Sequence, residues 1–306
     1  MSRKPLRALT RRSVLPALAV LVVLGAGAAA HANRPVPFGD RLVKPGDADG
    51  AAASPVGAQT RAAGSLELRV GPGLEAFDRA SGEHLWSYRR EGATALHQAM
   101  VGENAVVIWD DGMVTSVRPS DHEVRWHRAV PGLAEWLDGA DLKEGVERTE
   151  TEKQAGAVRR AAAALQPVDG DDTPWVAVVT PALTMGFRDS DGDLRFNSRP
   201  LAGCSYDPLR AVHTGYAVLV PRSCTGTNGA GNPLPGGITG FRLSLRGFQL
   251  DAGPNVQLRR LDDQRVTIED GPILGTRTYD TKLAAPESTC TVPFAALHPT
   301  PGCPAK

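Results

Sequence analysis

Short runs of β-branched, aromatic and small apolar residues, broken by polar turns, dominate the chain from residue 66 to about 200. Val106-Val107-Ile108-Trp109 and Met113-Val114-Thr115-Ser116-Val117 are two such runs, separated by Asp110-Asp111-Gly112. Runs this short predict strands, and the Gly- and Asp-containing breaks predict hairpin turns. Three windows, 77–86, 117–126 and 187–196, share one layout. Each opens on an apolar residue, crosses a polar turn, carries an acid (Glu83, Glu123, Asp193) and closes on an aromatic. Each reads as strand, turn, strand, with Ser81-Gly82 and Asp191-Gly192 as turn residues in the first and third. The closing aromatics Trp86, Trp126 and Phe196 are expected to be buried between neighbouring sheets.

Trp86 and Trp126 lie 40 residues apart, the length of a four-stranded propeller blade. Trp126 and Phe196 lie 70 apart, so about 30 residues are inserted between the second and third repeats. The insert maps to 141–166. Thr149 and Glu152 form a capping box, Ala155, Val158, Ala162 and Leu165 recur at helical steps, and Pro167 stops the run. This predicts one amphipathic surface helix, either packed on the propeller as decoration or serving as an arm for a partner. Beyond residue 200 the window no longer recurs, although 216–221, 238–243, 256–261 and 265–269 read as strands. The expected fold is all-β: a propeller of four-stranded blades over 65–306 with one helical insertion, leaving room for about five blades.

The segment Leu74-Glu75-Ala76-Phe77-Asp78-Arg79-Ala80-Ser81-Gly82-Glu83-His84-Leu85-Trp86-Ser87 resembles the repeat of PQQ-like (pyrroloquinoline quinone-type) β-propellers, whose consensus runs ALDAxTGExxWxx. The second window keeps Glu123 and Trp126 but has His122 where the consensus has Gly. The third keeps Gly192 and has Phe196 in place of Trp. Catalytic relatives are quinoprotein dehydrogenases, which need a vicinal cysteine pair, a calcium site and a catalytic aspartate. No two of the four cysteines here are adjacent, and no matching calcium motif aligns. The resemblance therefore implies a non-catalytic member without cofactor. Many such members are protein-binding scaffolds, among them a periplasmic lipoprotein that assists outer-membrane protein assembly. That lipoprotein is anchored through a lipidated cysteine after its signal, and this chain has no cysteine near residue 33.

Residues 1–32 carry Arg3, Lys4, Arg7, Arg11 and Arg12, then an apolar stretch from Val14 that closes on Ala30-His31-Ala32. This is the layout of a secretory signal, and Arg11-Arg12 is similar to a twin-arginine export pair. At about 17 residues the stretch also reaches the lower limit for spanning a bilayer. Cleavage and retention as a membrane anchor are both open, and either places the remainder outside the cytoplasm. Residues 33–64 are rich in Pro, Gly and Ala without an apolar period, which predicts a spacer. Lys+Arg 34 balance Asp+Glu 34 for a net charge of +0, which excludes the basic surplus of a nucleic-acid binder.

Cys204, Cys224, Cys290 and Cys303 fit no zinc spacing. In an oxidising compartment they are expected as disulfides, and Cys204–Cys224 with Cys290–Cys303 closes the shortest loops of the three connectivities. Asp189, Asp191 and Asp193 alternate as hard-oxygen ligands do in a Ca²⁺ loop, yet they also fall on a hairpin turn, where solvated acids are ordinary. His84, His122 and His127 flank the closing aromatics, and His97, His213 and His298 stand apart. The functional expectation is an exported, membrane-tethered, non-catalytic propeller that scaffolds a protein partner. The alternatives are an extracytoplasmic enzyme or a sensor for a small ligand or glycan.

Overall fold

The computed structural model describes residues 37–44, 59–139, 148–170, 173–227, 231, 234, 236–243, 248–253, 255–270, 275–282 and 291–293. Residues 1–32, expected as an export signal or anchor, Cys290, Cys303 and part of the insert lie outside them. The described residues form five sheets. The first joins β1 (Asp40–Val43), β2 (Thr60–Ala63), β3 (Leu66–Val70), β4 (Leu74–Asp78) and β5 (His84–Arg90) in the order β1-β5-β4-β3-β2. The second is the meander β6 (Ala95–Val101), β7 (Asn104–Trp109), β8 (Met113–Arg118) and β9 (Glu123–Ala129). Two helices follow, α1 (Leu133–Asp138) and α2 (Glu150–Ala164). The third sheet is β10 (Leu165–Val168), β11 (Trp175–Val179), β12 (Thr184–Arg188) and β13 (Leu194–Ser198).

In the fourth sheet the first strand is split into β14 (Cys204–Tyr206) and β15 (Val212–His213), both paired with β16 (Val218–Cys224) and followed by β17 (Gly237–Phe241) and β18 (Phe248–Asp251). The fifth is β19 (Gln257–Arg260), β20 (Arg265–Glu269), β21 (Thr276–Asp280) and β22 (Thr291–Pro293), the last running parallel to β21. First strands touch in sequence, β2 with β6, β6 with β10, β10 with β15 and β15 with β19. Consecutive meanders fanned about their first strands are the blades of a β-propeller.

Each pair of neighbouring blades buries its own apolar seam. Leu68, Trp86, Tyr88, Val107 and Trp109 fill the first, and Val106, Ile108, Trp126, Val176 and Phe187 fill the second. Trp175, Val218 and Phe241 fill the third, and Leu219, Ile238, Val266 and Tyr279 fill the fourth. The pleat sends alternate residues of one strand to opposite blades, so Val107 serves the first seam and Val106 and Ile108 the second.

Two expectations are corrected. The stretch 33–64 is not a plain spacer, because β1 and β2 within it are the two edge strands of the first blade. Edge strands are held by main-chain bonds on one side, so they show no strong apolar alternation. Within the 141–166 insert the helix spans Glu150–Ala164, about four turns from the Thr149 cap, but Leu165, expected on its apolar face, opens β10. Pro167 reads as a helix stop, but it lies in an edge strand, where its missing N–H is harmless. The capping box holds: Glu152 N–H donates to Thr149 Oγ1 at 3.3 Å and Thr149 N–H donates to Glu152 Oε2 at 2.9 Å. The buried face is Arg160, Ala161 and Ala164, with Ala155 exposed. Arg160 Nε donates to Leu137 O at 2.9 Å, fastening α2 to α1. Among the described residues, no helix is long and apolar enough to cross a membrane.

Candidate functional site

The three sequence windows fold into the same hairpin, β4–β5, β8–β9 and β12–β13, with a register shift at the same place: 76/77, 116/117 and 186/187. Each closing aromatic sits across from a small residue: Trp86 opposite Ala76, Trp126 opposite Ser116, and Phe196 opposite Gly186. A Cβ on Gly186 would fall 2.2 Å from the Phe196 ring. The sixth position of each window is left-handed, with φ 73 at Gly82, 63 at His122 and 66 at Gly192.

These positions are where one blade docks on the next. Trp126 Nε1 donates to Asp189 O at 2.6 Å, and its ring lies so close to Gly192 that a Cβ there would sit 2.6 Å from Cγ. Arg128 Nε donates to Gly192 O at 2.6 Å. Trp86 faces His122 instead, with ring centroids 5.2 Å apart. His122 carries the Cβ that the Gly192 geometry forbids, so Trp86 cannot seat as Trp126 does. Its buried Nε1 has no hydrogen-bond acceptor among the described residues. Phe196, which lacks an N–H, stacks on Phe241 at 5.3 Å.

The loops joining first and second strands repeat the contrast. Gly102 N–H donates to Asp169 Oδ1 at 2.8 Å, Gly170 N–H to Gly215 O, and Gly215 N–H to Asp263 O at 2.7 Å. These bonds link blades 2, 3, 4 and 5 in turn. Gly170 is needed there, since a Cβ would lie 2.3 Å from Gly215 O. Between Gly64-Ser65 of blade 1 and Gly102-Glu103 of blade 2 no such bond exists among the described residues. A groove of about 780 Å³ opens at this junction. One wall is Ala62, Ala63, Gly64 and Ser65, the other carries Glu103 and Ser120, and Trp86, Met100 and His122 line the space between.

The acids singled out in the sequence diverge. Asp189 turns inward, 5% exposed, and accepts Asn104 Nδ2–H on Oδ2 at 2.7 Å. Burial, opposed by the Asn104 bond and reinforced by nearby Asp169, pushes its carboxyl up to about 6. Asp191 turns outward, accepting Arg188 Nε–H at 2.9 Å and the Asp193 N–H at 3.0 Å. Asp193 pairs with Arg195 at 3.1 Å. Among the described residues no three His, Cys, Asp or Glu side chains gather as metal ligands do. Cys204 and Cys224 are bonded and sit directly opposite on β14 and β16.

One constellation escaped the sequence reading. Tyr88 O–H donates to Asp40 Oδ1 at 2.6 Å, His127 Nε2 lies 2.9 Å from Asp40 Oδ2, and Phe38 stacks on His127 at 4.3 Å. Burial first, then the Asp40 bond, drives the Tyr88 phenol well above its ordinary range. The cluster fastens β1 across blades 1 and 2. Its hydrogen-bonding members Asp40, Tyr88 and His127 are 39 to 87 residues apart, and the only local signal is His127 beside Trp126. On the first strands, burial lowers His97 and His213 to about 4, and His213 Nδ1 lies 2.9 Å from Gln166 Oε1.

Blades, seams and docks together define a β-propeller. No protein-family model matches the chain, and no curated protein matches it. Solved structures do: BamB from Moraxella catarrhalis, 13% identical over 67% of this chain and 55% of that one with a TM-score of 0.39; the computationally designed Ika8 protein, 8% identical over 72% and 57% with a TM-score of 0.42; and Kluyveromyces lactis Hsv2, 9% identical over 72% and 58% with a TM-score of 0.39. The chain spans little more than half the length of each. The propeller assignment rests on the sheets themselves.

Proposed function

We propose that this chain is an exported, membrane-tethered, non-catalytic propeller of the PQQ-like repeat type that holds a protein partner outside the cytoplasm. The observation that carries this reading is the groove between blades 1 and 2, about 780 Å³, at the one of the four described junctions whose inner loops are not bonded together. A rigid stack of blades with an open slot is suited to binding, because its loops are held at fixed positions by the seams beneath. The repeated hairpin with its register shift supports the repeat type. The basic and apolar N-terminal pattern, and a disulfide of the kind that persists in oxidising compartments, support export.

The test is in-cell cross-linking of the tagged full chain from photoreactive residues placed at Ser65 and Ser120, followed by mass spectrometry. One dominant protein captured from both positions is expected. Recovery of the uncross-linked chain alone, with protease unable to reach it in intact cells, would reject the reading. The second reading, an extracytoplasmic enzyme, is favoured only by the Asp40–His127–Tyr88 cluster. It requires a reaction lost on His127→Ala, whereas the scaffold reading has that variant merely loosen β1.

A further inference from the structure

We propose that the groove between blades 1 and 2 receives an extended polypeptide segment bearing a lysine or arginine, supplied by the partner. The inference rests on the scaffold reading and assigns its docking chemistry. The first wall, Ala62 to Ser65, has side chains of no more than two heavy atoms, so it presents main chain. It includes the end of β2, which is an edge of its sheet. An edge strand offers a row of free amides and carbonyls, the feature by which sheets capture extended peptides. The strand part of the wall, Ala62 and Ala63, matches two residues of an extended peptide at about 3.3 Å each, and the Gly64-Ser65 turn lies beyond them.

Charge selects among peptides. Glu103 is exposed on the facing wall and has no ion-pair partner among the described residues. Three nearby acids are engaged: Glu67 with Arg69, Asp121 with Arg118, and Glu123 with Arg125. Among the described residues Glu103 is the only carboxylate lining the groove. A cationic side chain opposite Glu103 completes it. A reporter lies just beneath the floor: Trp86 is fully buried against His122, which lines the groove, while Trp126, one blade on, is hydrogen-bonded within its own junction.

The experiment is a titration of the full chain, ¹⁵N-labelled at tryptophan, with two capped pentapeptides, Ala-Val-Lys-Val-Ala and Ala-Val-Glu-Val-Ala. Indole N–H resonances are assigned with Trp86→Phe and Trp126→Phe. The lysine peptide is expected to move the Trp86 resonance saturably and leave Trp126 in place. The glutamate peptide is expected to bind about fivefold more weakly, as for one exposed ion pair. Glu103→Lys, an exposed-turn change that leaves the seam alone, should reverse the preference, and Ala63→Trp should abolish both shifts. An unmoved Trp86 with either peptide, or a preference unaltered by Glu103→Lys, overturns the proposal. In that event a partner still captured by cross-linking would leave the scaffold reading standing, and only the groove assignment would fall.

Discussion

The junctions on either side of blade 2 are built from the same sequence window yet close differently. At the far side, Trp126 sits on Gly192, gives its N–H to Asp189 O, and is reinforced by Arg128 and by Gly102 bonding Asp169. At the near side, His122 occupies the glycine position, the Trp86 N–H is left without an acceptor among the described residues, and a groove opens. The repeated window differs here by one Cβ, at a turn where the second junction seats its indole. At these two junctions the residue at the glycine position goes with how tightly the blades close, while the closing aromatic is buried in either case.

The largest expected effect is obtained by giving the tight junction the character of the loose one. Gly192→Ala places a Cβ 2.6 Å from Trp126 Cγ at a residue with φ 66. Left-handed strain of about 1 kcal/mol and overpacking of about 2 kcal/mol should lower stability by roughly 3 kcal/mol. Urea unfolding would read this as a lower midpoint at unchanged slope, and a loss under 1 kcal/mol would show that the dock adapts freely.

The two junctions should also differ in acid. Asp189, 5% exposed, has a carboxyl raised to about 6 from the ordinary 3.8. A raised acid favours the folded state fully below the unfolded pKa, and this contribution is lost as pH rises from about 4 to about 6. Pro119 holds the matching position at the near junction and does not titrate. Asp189→Asn should therefore gain on wild type by on the order of 2 kcal/mol between pH 4 and pH 7. His97 and His213, lowered to about 4, act oppositely and weaken both proteins alike as pH falls below 6.5. A stability difference that stays flat across this range would mean that Asp189 is ionised throughout.

How much of this was legible in advance follows the range of the interactions. The hairpins could be read because turn chemistry and the opposing small residue are local, and Cys204–Cys224 could be read as one of the shortest loops. β1 could not, since main-chain pairing leaves no mark on a Pro- and Gly-rich stretch. β10 was absorbed into the helix because Leu165 continues the helical spacing and Pro167 imitates a stop. Asp189 looked like one of three equivalent acids, and only the neighbouring blade, through Asn104 and Asp169, sets it apart. His122 was visible as a departure from glycine. Its consequence was not, because the indole it displaces belongs to the preceding blade.

The smallest effects isolate the hydrogen bond from the glycine. Trp126→Phe keeps most of the buried ring but leaves Asp189 O without its donor, which should cost about 1–2 kcal/mol beyond the lost area. Trp86→Phe loses no such bond and removes a buried N–H that lacks an acceptor, so its hydrogen-bonding cost should be near zero. The reciprocal change, His122→Gly, relieves a left-handed histidine worth about 1 kcal/mol and admits Trp86 to the turn. In that variant Trp86→Phe should become costly, giving a double-mutant coupling of about 1 kcal/mol where wild type has none. Additivity of the two changes would mean that something other than the missing glycine holds the first junction open.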